Sequence, residues 1–130
     1  MIPYCLDSGV GLIPWSPMAR GVLARPWGSR STVREKTDGA LKALVRSRET
    51  EADKVIVDRV EELAGKKGVS MAQIALAWSL SHQNECPIVG LHSAERVDEA
   101  VASLKVKLSA EEIQYLEEPY IPKTIAPLER

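Results

Sequence analysis

Two stretches of this chain combine polar side chains with a turn or a helix start, the places where backbone amides are open to a ligand. The first is Ile13-Pro14-Trp15-Ser16-Pro17-Met18-Ala19-Arg20-Gly21. An aromatic residue closing a short apolar run offers a flat ring on which a nicotinamide can stack. The Ser16 hydroxyl and the amides near Met18 and Ala19 offer donors for pyrophosphate oxygens. The same residues also suit a core tryptophan beside an ordinary Ser-Pro turn. The second stretch is Gly90-Leu91-His92-Ser93-Ala94-Glu95-Arg96-Val97-Asp98-Glu99. Free amides and the dipole of a helix start attract an anion, and Arg96 in the first turn suits a bidentate grip on phosphate. A plain solvated helix capped by Ser93 would read the same way.

Other reactive side chains are sparse. Cys5 and Cys86 lack metal-ligand spacing and read as small buried hydrophobes, with neither a disulfide nor a metal site expected. Tyr4, Tyr115, Tyr120, His82 and His92 are expected in structural roles. Seventeen basic and eighteen acidic residues, mixed along the chain, give a net charge of -1, which favours neither nucleic acid nor a membrane surface as partner. The apolar runs fall well short of the roughly 20 residues needed to cross a bilayer. The N-terminus lacks the pattern of a secretory signal, so a cytoplasmic location is expected.

The elements that must position these stretches follow from periodicity. Residues 11 to 15 and Pro87-Ile88-Val89-Gly90 read as short buried strands. Residues 20–51 are rich in Arg, Gly, Ser and Thr and read as a long surface loop with one helical turn. A helix is predicted over 52 to 66, with Ile56, Val60, Leu63 and Ala64 on one face. Ser70 to Gln73 is a capping box opening a second helix to about residue 82, its stripe formed by Ile74, Ala77, Trp78 and Ser81. Ser93 caps a helix whose Val97, Ala100, Val101 and Leu104 should face inward, and Ser109 to Glu112 is a further capping box before Ile113 and Leu116. Residues 119–130 read as an irregular tail. This order is that of parallel α/β architecture, yet two strands cannot complete a covered sheet or a barrel.

The order of these motifs resembles the C-terminal part of the aldo-keto reductases, over nearly all of residues 1–130 and especially their fungal and bacterial members. The resemblance rests on residues 13 to 21, on Gly68-Val69-Ser70-Met71-Ala72-Gln73-Ile74-Ala75-Leu76-Ala77-Trp78, and on Pro87 to Gly90 with the helix after Ser93. It implies a partial (β/α)8 TIM barrel: strands seven and eight, the last two β/α units, with the C-terminal helices and a long cofactor-side loop at 20–51. It implies NADP(H) as cofactor, with Trp15 against nicotinamide and Ser16, Pro17 and Met18 beside the pyrophosphate. Arg30 would be a cofactor-loop arginine, and Arg96 and Glu99 would grip the adenosine end. The family often has Asn where this chain has Ala100, and Ser or Thr where it has His92, so cofactor affinity is expected to be weak or lost. The family's activity is NADPH-dependent reduction of aldehyde and ketone carbonyls. Its catalytic Asp, Tyr, Lys and His come from segments this sequence does not match, so a truncated chain inactive alone is expected. The alternative is a non-catalytic binding or scaffold protein that pairs with a full-length reductase subunit or self-associates.

Overall fold

Side-chain caps decide where the helices begin. A computed structural model describes residues 2–29 and 36–123. Helix α1 spans Ile2–Ser8, α2 Gly39–Leu44, α3 Glu51–Lys67, α4 Met71–Ser81, α5 Ala94–Ala102 and α6 Ala110–Glu117, with 3-10 turns at Ala19–Ala24, Arg46–Arg48 and Ser103–Lys105. Thr50 caps α3: its Oγ1 accepts from the Asp53 amide at 3.3 Å, while the Asp53 carboxylate accepts from the Thr50 amide at 2.7 Å. The helix ends at Gly68, whose left-handed φ of 65° lets the Val69 amide return to the Ala64 carbonyl at 3.1 Å. Ser70 and Gln73 then form the predicted reciprocal box, at 3.2 and 3.0 Å, and Ser109 and Glu112 form another, at 3.2 and 2.8 Å.

The core lies between α3 and α4. Val57, Val60, Leu63 and Ala64 meet Met71 and Ile74, and Leu116 of α6 closes the cluster. Val57 is buried where the periodicity favoured Ile56, which is half-buried. Helix α4 buries Ile74 and Ala77 of the predicted stripe and more besides: Met71, Ala72, Ala75, Leu76 and Ser79 are also inside, while Ser81 is exposed. A helix apolar on all sides must be covered on all sides. Here α3, the turn at 19–24 and α5 all pack against it. The C-terminal helix is clipped to α4 by Trp78, whose indole N–H donates to Glu117 at 2.9 Å. His82 joins the same clip, touching the Trp78 carbonyl at 2.9 Å and Glu117 at 3.3 Å.

The two predicted strands run side by side in parallel, but only isolated bridges form, at Leu12 with Glu85 and Trp15 with Ile88. The Leu12 amide donates to Asn84 at 2.6 Å, and the amides of Cys86 and Ile88 donate to Leu12 and Pro14 at 2.8 and 2.9 Å. The next rung would need an amide hydrogen at residue 14. Pro14 has none, so the ladder breaks between its two bridges.

Three further expectations are corrected. Residues 20–51 hold α2 and two 3-10 turns rather than one helical turn, because Asp38 caps α2 through the Leu41 amide at 2.9 Å and Leu41 is fully buried. On α5 and the turn after it, Val97, Val101 and Leu104 are 46%, 57% and 59% exposed instead of facing inward. They share one helical face, whereas α5 reaches α4 with its other side, through Glu99. Cys5 is buried as expected, but Cys86 is exposed. In the tail, residues 119–123 are irregular, with Lys123 paired to Asp53 at 2.6 Å.

Candidate functional site

Trp15 ends the first extended segment, beside Ile88 of the second, so the loops leaving both segments start next to each other. The loop after Trp15 is tightly wound. Ser16, Ala19, Arg20 and Gly21 all have left-handed φ, at 57°, 46°, 55° and 98°. For the three non-glycine residues this costs of the order of 1 kcal/mol or more each, and such strain gathers at binding sites. The winding also uses up donors: the Ala19 amide bonds the Ser16 carbonyl at 2.8 Å and the Gly21 amide bonds Met18 at 2.9 Å. The expectation that the Ala19 amide serves pyrophosphate is therefore corrected, because its hydrogen is already engaged within the turn.

The second loop leads through Ser93, which accepts from the Arg96 amide at 3.4 Å and starts α5. Between the loops lies a cleft of about 580 Å³. Trp15, Ser16, Pro17 and Met18 line one part of it, Arg96 and Glu99 another, and buried Ala72 and Leu76 of α4 contribute apolar wall. The two stretches singled out in the sequence thus share one cavity. Trp15 is 63% exposed, which leaves its ring available for stacking. Arg30 lies outside the described residues.

Arginines line the cleft beside both stretches. Arg96 Nη1 meets Glu99 Oε2 at 2.6 Å. The Ser70 hydroxyl, and after it Arg96, hold the Glu99 carboxyl below the usual range against partial burial, which pushes it up. Arg20, beside Trp15, and Arg25 also line the cleft; Arg20 lies in the first stretch but was given no role, and Arg25 sits in the segment that reads only as an Arg-rich loop. The Arg20 guanidinium lies 5.5 Å from the centre of the Trp15 ring and reaches Asp38 through Nε and Nη2 at 3.1 and 3.2 Å. Asp38 is held below the usual carboxylate range by the Leu41 amide first, with Arg20 adding to it. His92, expected as structural, is exposed on the cleft wall. His82 has the structural role expected of it, edge-on to Trp78 with ring centres 4.6 Å apart.

No tyrosine lines the cleft among the described residues. Tyr115 donates its phenol proton to Glu62 at 2.7 Å, and that carboxylate raises the phenol's pKa, the reverse of what an acid catalyst needs. Tyr4 and Tyr120 are exposed. Among the described residues no cluster of three or more His, Cys, Asp or Glu could hold a metal, and no helix is long and apolar enough to cross a membrane.

The paired parallel segments, the helices packed beside them and the cleft at their ends are features of a β/α barrel with a ligand site at its strand ends. Residues 1–121 match the Aldo/keto reductase family, and the chain belongs to it. The family's fold is the (β/α)8 barrel. The chain is similar to versiconal hemiacetal acetate reductase of Aspergillus parasiticus, 72% identical over 130 residues, which are all of this chain and 38% of that protein. It is 54% identical over 126 residues to a Schizosaccharomyces pombe protein provisionally called an aryl-alcohol dehydrogenase, covering 96% of this chain and 35% of the relative. An aldo-keto reductase of Fusarium vanettenii is 42% identical over 125 residues, 96% of this chain and 33% of the relative. The chain thus spans little more than a third of the length of these relatives.

Proposed function

We propose that this chain is the cofactor-gripping part of an NADP(H)-dependent carbonyl reductase, contributing strands seven and eight of the barrel and the loops that follow them. The observation that carries this reading is the single cleft that joins Trp15, Ser16, Pro17 and Met18 to Arg96 and Glu99. The fit to a dinucleotide is chemical. An exposed indole suits a nicotinamide ring, the arginines near it suit a pyrophosphate, and a half-exposed arginine in the first turn of α5 suits a 2′-phosphate. Bound there, the nicotinamide would supply a hydride. This chain's own part is to seat the ring, neutralise the phosphates and exclude water along Ala72 and Leu76. The substrate carbonyl would be reached from the Trp15 end. The reductase named for versiconal hemiacetal acetate lends the reaction class to this reading.

Replacing Arg96 by Ala tests it. A hydrogen bond to a charged group is worth about 1.5–3 kcal/mol, so the preference for adenosine 2′,5′-bisphosphate over 5′-AMP should fall about tenfold or more. The helix should persist, since Ala is a good helix former. Titration calorimetry on both proteins reads the ratio. An unchanged ratio removes Arg96 from the site.

A further inference from the structure

Resting on the reading of Trp15 as the nicotinamide platform, we propose that Asp38 is a positioning residue for the cofactor. It holds the Arg20 guanidinium over the Trp15 ring and so presents the indole in one orientation. The backbone of Trp15 is tied to Ile88 by a parallel bridge, but a bridge does not set a side-chain rotamer. Trp27 and Trp78 pack against the core, whereas Trp15 is 63% exposed. Over its ring lies Arg20, with the guanidinium carbon 5.5 Å from the ring centre, inside the roughly 6 Å range at which a cation and a π face attract.

Arg20 is itself held. Its Nε donates to Asp38 Oδ2 at 3.1 Å and its Nη2 to Oδ1 at 3.2 Å, a fork that fixes the plane of the guanidinium as well as its place. The two side chains are only 25% and 16% exposed. Asp38 does not line the cleft. It is anchored from behind, because Oδ1 also accepts from the Leu41 amide at 2.9 Å to start α2, and Leu41 is buried. Control thus runs from a buried leucine through a carboxylate and a guanidinium to an exposed indole. With one face of the indole taken by Arg20, the other is left for the nicotinamide. A platform held in advance loses less rotamer freedom when a ring stacks on it.

Asp38→Asn separates this role from capping. Asparagine caps a helix about as well as aspartate, but it has one acceptor oxygen and no charge, so it cannot take both prongs of Arg20. Arg20→Gln leaves Asp38 on its cap and removes the cation. It carries the test should Asp38→Asn fold poorly.

NMR titration of the isotope-labelled whole chain with two probes decides the matter. Reduced nicotinamide riboside is uncharged and has no phosphate, so its effect on the Trp15 indole reports the ring seat alone. Adenosine 2′,5′-bisphosphate, followed at the amides from Ser93 to Glu99, reports the Arg96 end. In Asp38→Asn the riboside affinity should fall about two- to fivefold, the scale of one exposed cation–π contact, while the bisphosphate affinity does not fall. The Arg20 side-chain protons, shifted upfield by the ring beneath them in the wild type, should return towards their ordinary positions. Arg20→Gln should show the same loss of riboside affinity, and the double variant no more than either. Riboside affinity unchanged or raised in Asp38→Asn overturns the proposal, a rise showing that Arg20 occupies the nicotinamide's own face. Losses that add in the double variant overturn it too, since Asp38 then acts other than through Arg20. Equal falls for both probes in both single variants mark a purely structural pair and overturn it as well. A wild-type chain whose Trp15 indole ignores the riboside overturns the reading of the Trp15 end itself, and the positioning role with it.

Discussion

Mixed with NADPH and a reactive aldehyde such as 4-nitrobenzaldehyde, the purified 130-residue chain is expected to oxidise no cofactor above the protein-free rate. The reason is the lining of the cleft, which holds an aromatic platform and arginines but no tyrosine among the described residues. Carbonyl reduction needs a proton donor beside the oxygen, and general acid assistance alone is worth about 10²–10⁴-fold. Tyr115 cannot move into that role, because its phenol is bonded to Glu62 and its ring lies 4.3 Å from the Arg59 guanidinium. The positive counterpart is a graft. Placed in a versiconal hemiacetal acetate reductase in place of the segment that is 72% identical to it, the chain should support turnover. Aldehyde-dependent oxidation by the isolated chain, abolished by Arg96→Ala, would contradict the first half of this account. A folded graft without activity would contradict the second.

The other large effect is on stability. Ile74 is fully buried at the centre of the α3, α4 and α6 cluster, and Ile→Ala at such a site costs about 2–5 kcal/mol. Domains in general have only about 5–15 kcal/mol to lose. This one should lie at the low end, because Ile13, Ile88, Val97, Val101 and Leu104 are exposed rather than buried. Exposed apolar faces of this kind bind dye and promote self-association. The isolated chain is therefore expected to bind anilinonaphthalene sulfonate in its native state, and Ile74→Ala is expected to remove a large part of its stability, about 2–5 kcal/mol. Urea titration followed by circular dichroism measures the second effect. A loss below about 1 kcal/mol would show that the site relaxes to fill the cavity, or that the core lies elsewhere.

The sequence showed helix starts far better than it showed faces. Ser70 with Gln73 and Ser109 with Glu112 are local signals, complete within four residues, and both boxes form. Thr50 with Asp53 is the same signal, and it sets the start of α3 one residue before the periodicity did. What Val97, Val101 and Leu104 pack against is not local, so their spacing gave a face without its counterpart. Pro14 is a different kind of miss. The apolar run marked the extended segment, but the lost amide limits it to isolated bridges. Trp15, Ser16, Pro17, Met18, Arg96 and Glu99 were chosen from two stretches about eighty residues apart, and folding brings them to one cleft. Arg20 and Arg25 were not chosen, since only the left-handed turn at residues 19 to 21 carries them to the cleft wall.

On the reading proposed above, one cleft holds both ends of a single dinucleotide. Titrating NADP+ into the isotope-labelled chain, with amide and indole NMR signals followed together, checks this. The predicted result is that the Trp15 indole and the amides from Ser93 to Glu99 shift in parallel with one affinity, while the indoles of Trp27 and Trp78 stay where they are. Both of those pack against the core rather than line the cleft. Shifts confined to one of the two stretches, or centred on the separate lysine-lined groove at Lys67, Lys105 and Lys107, would contradict it.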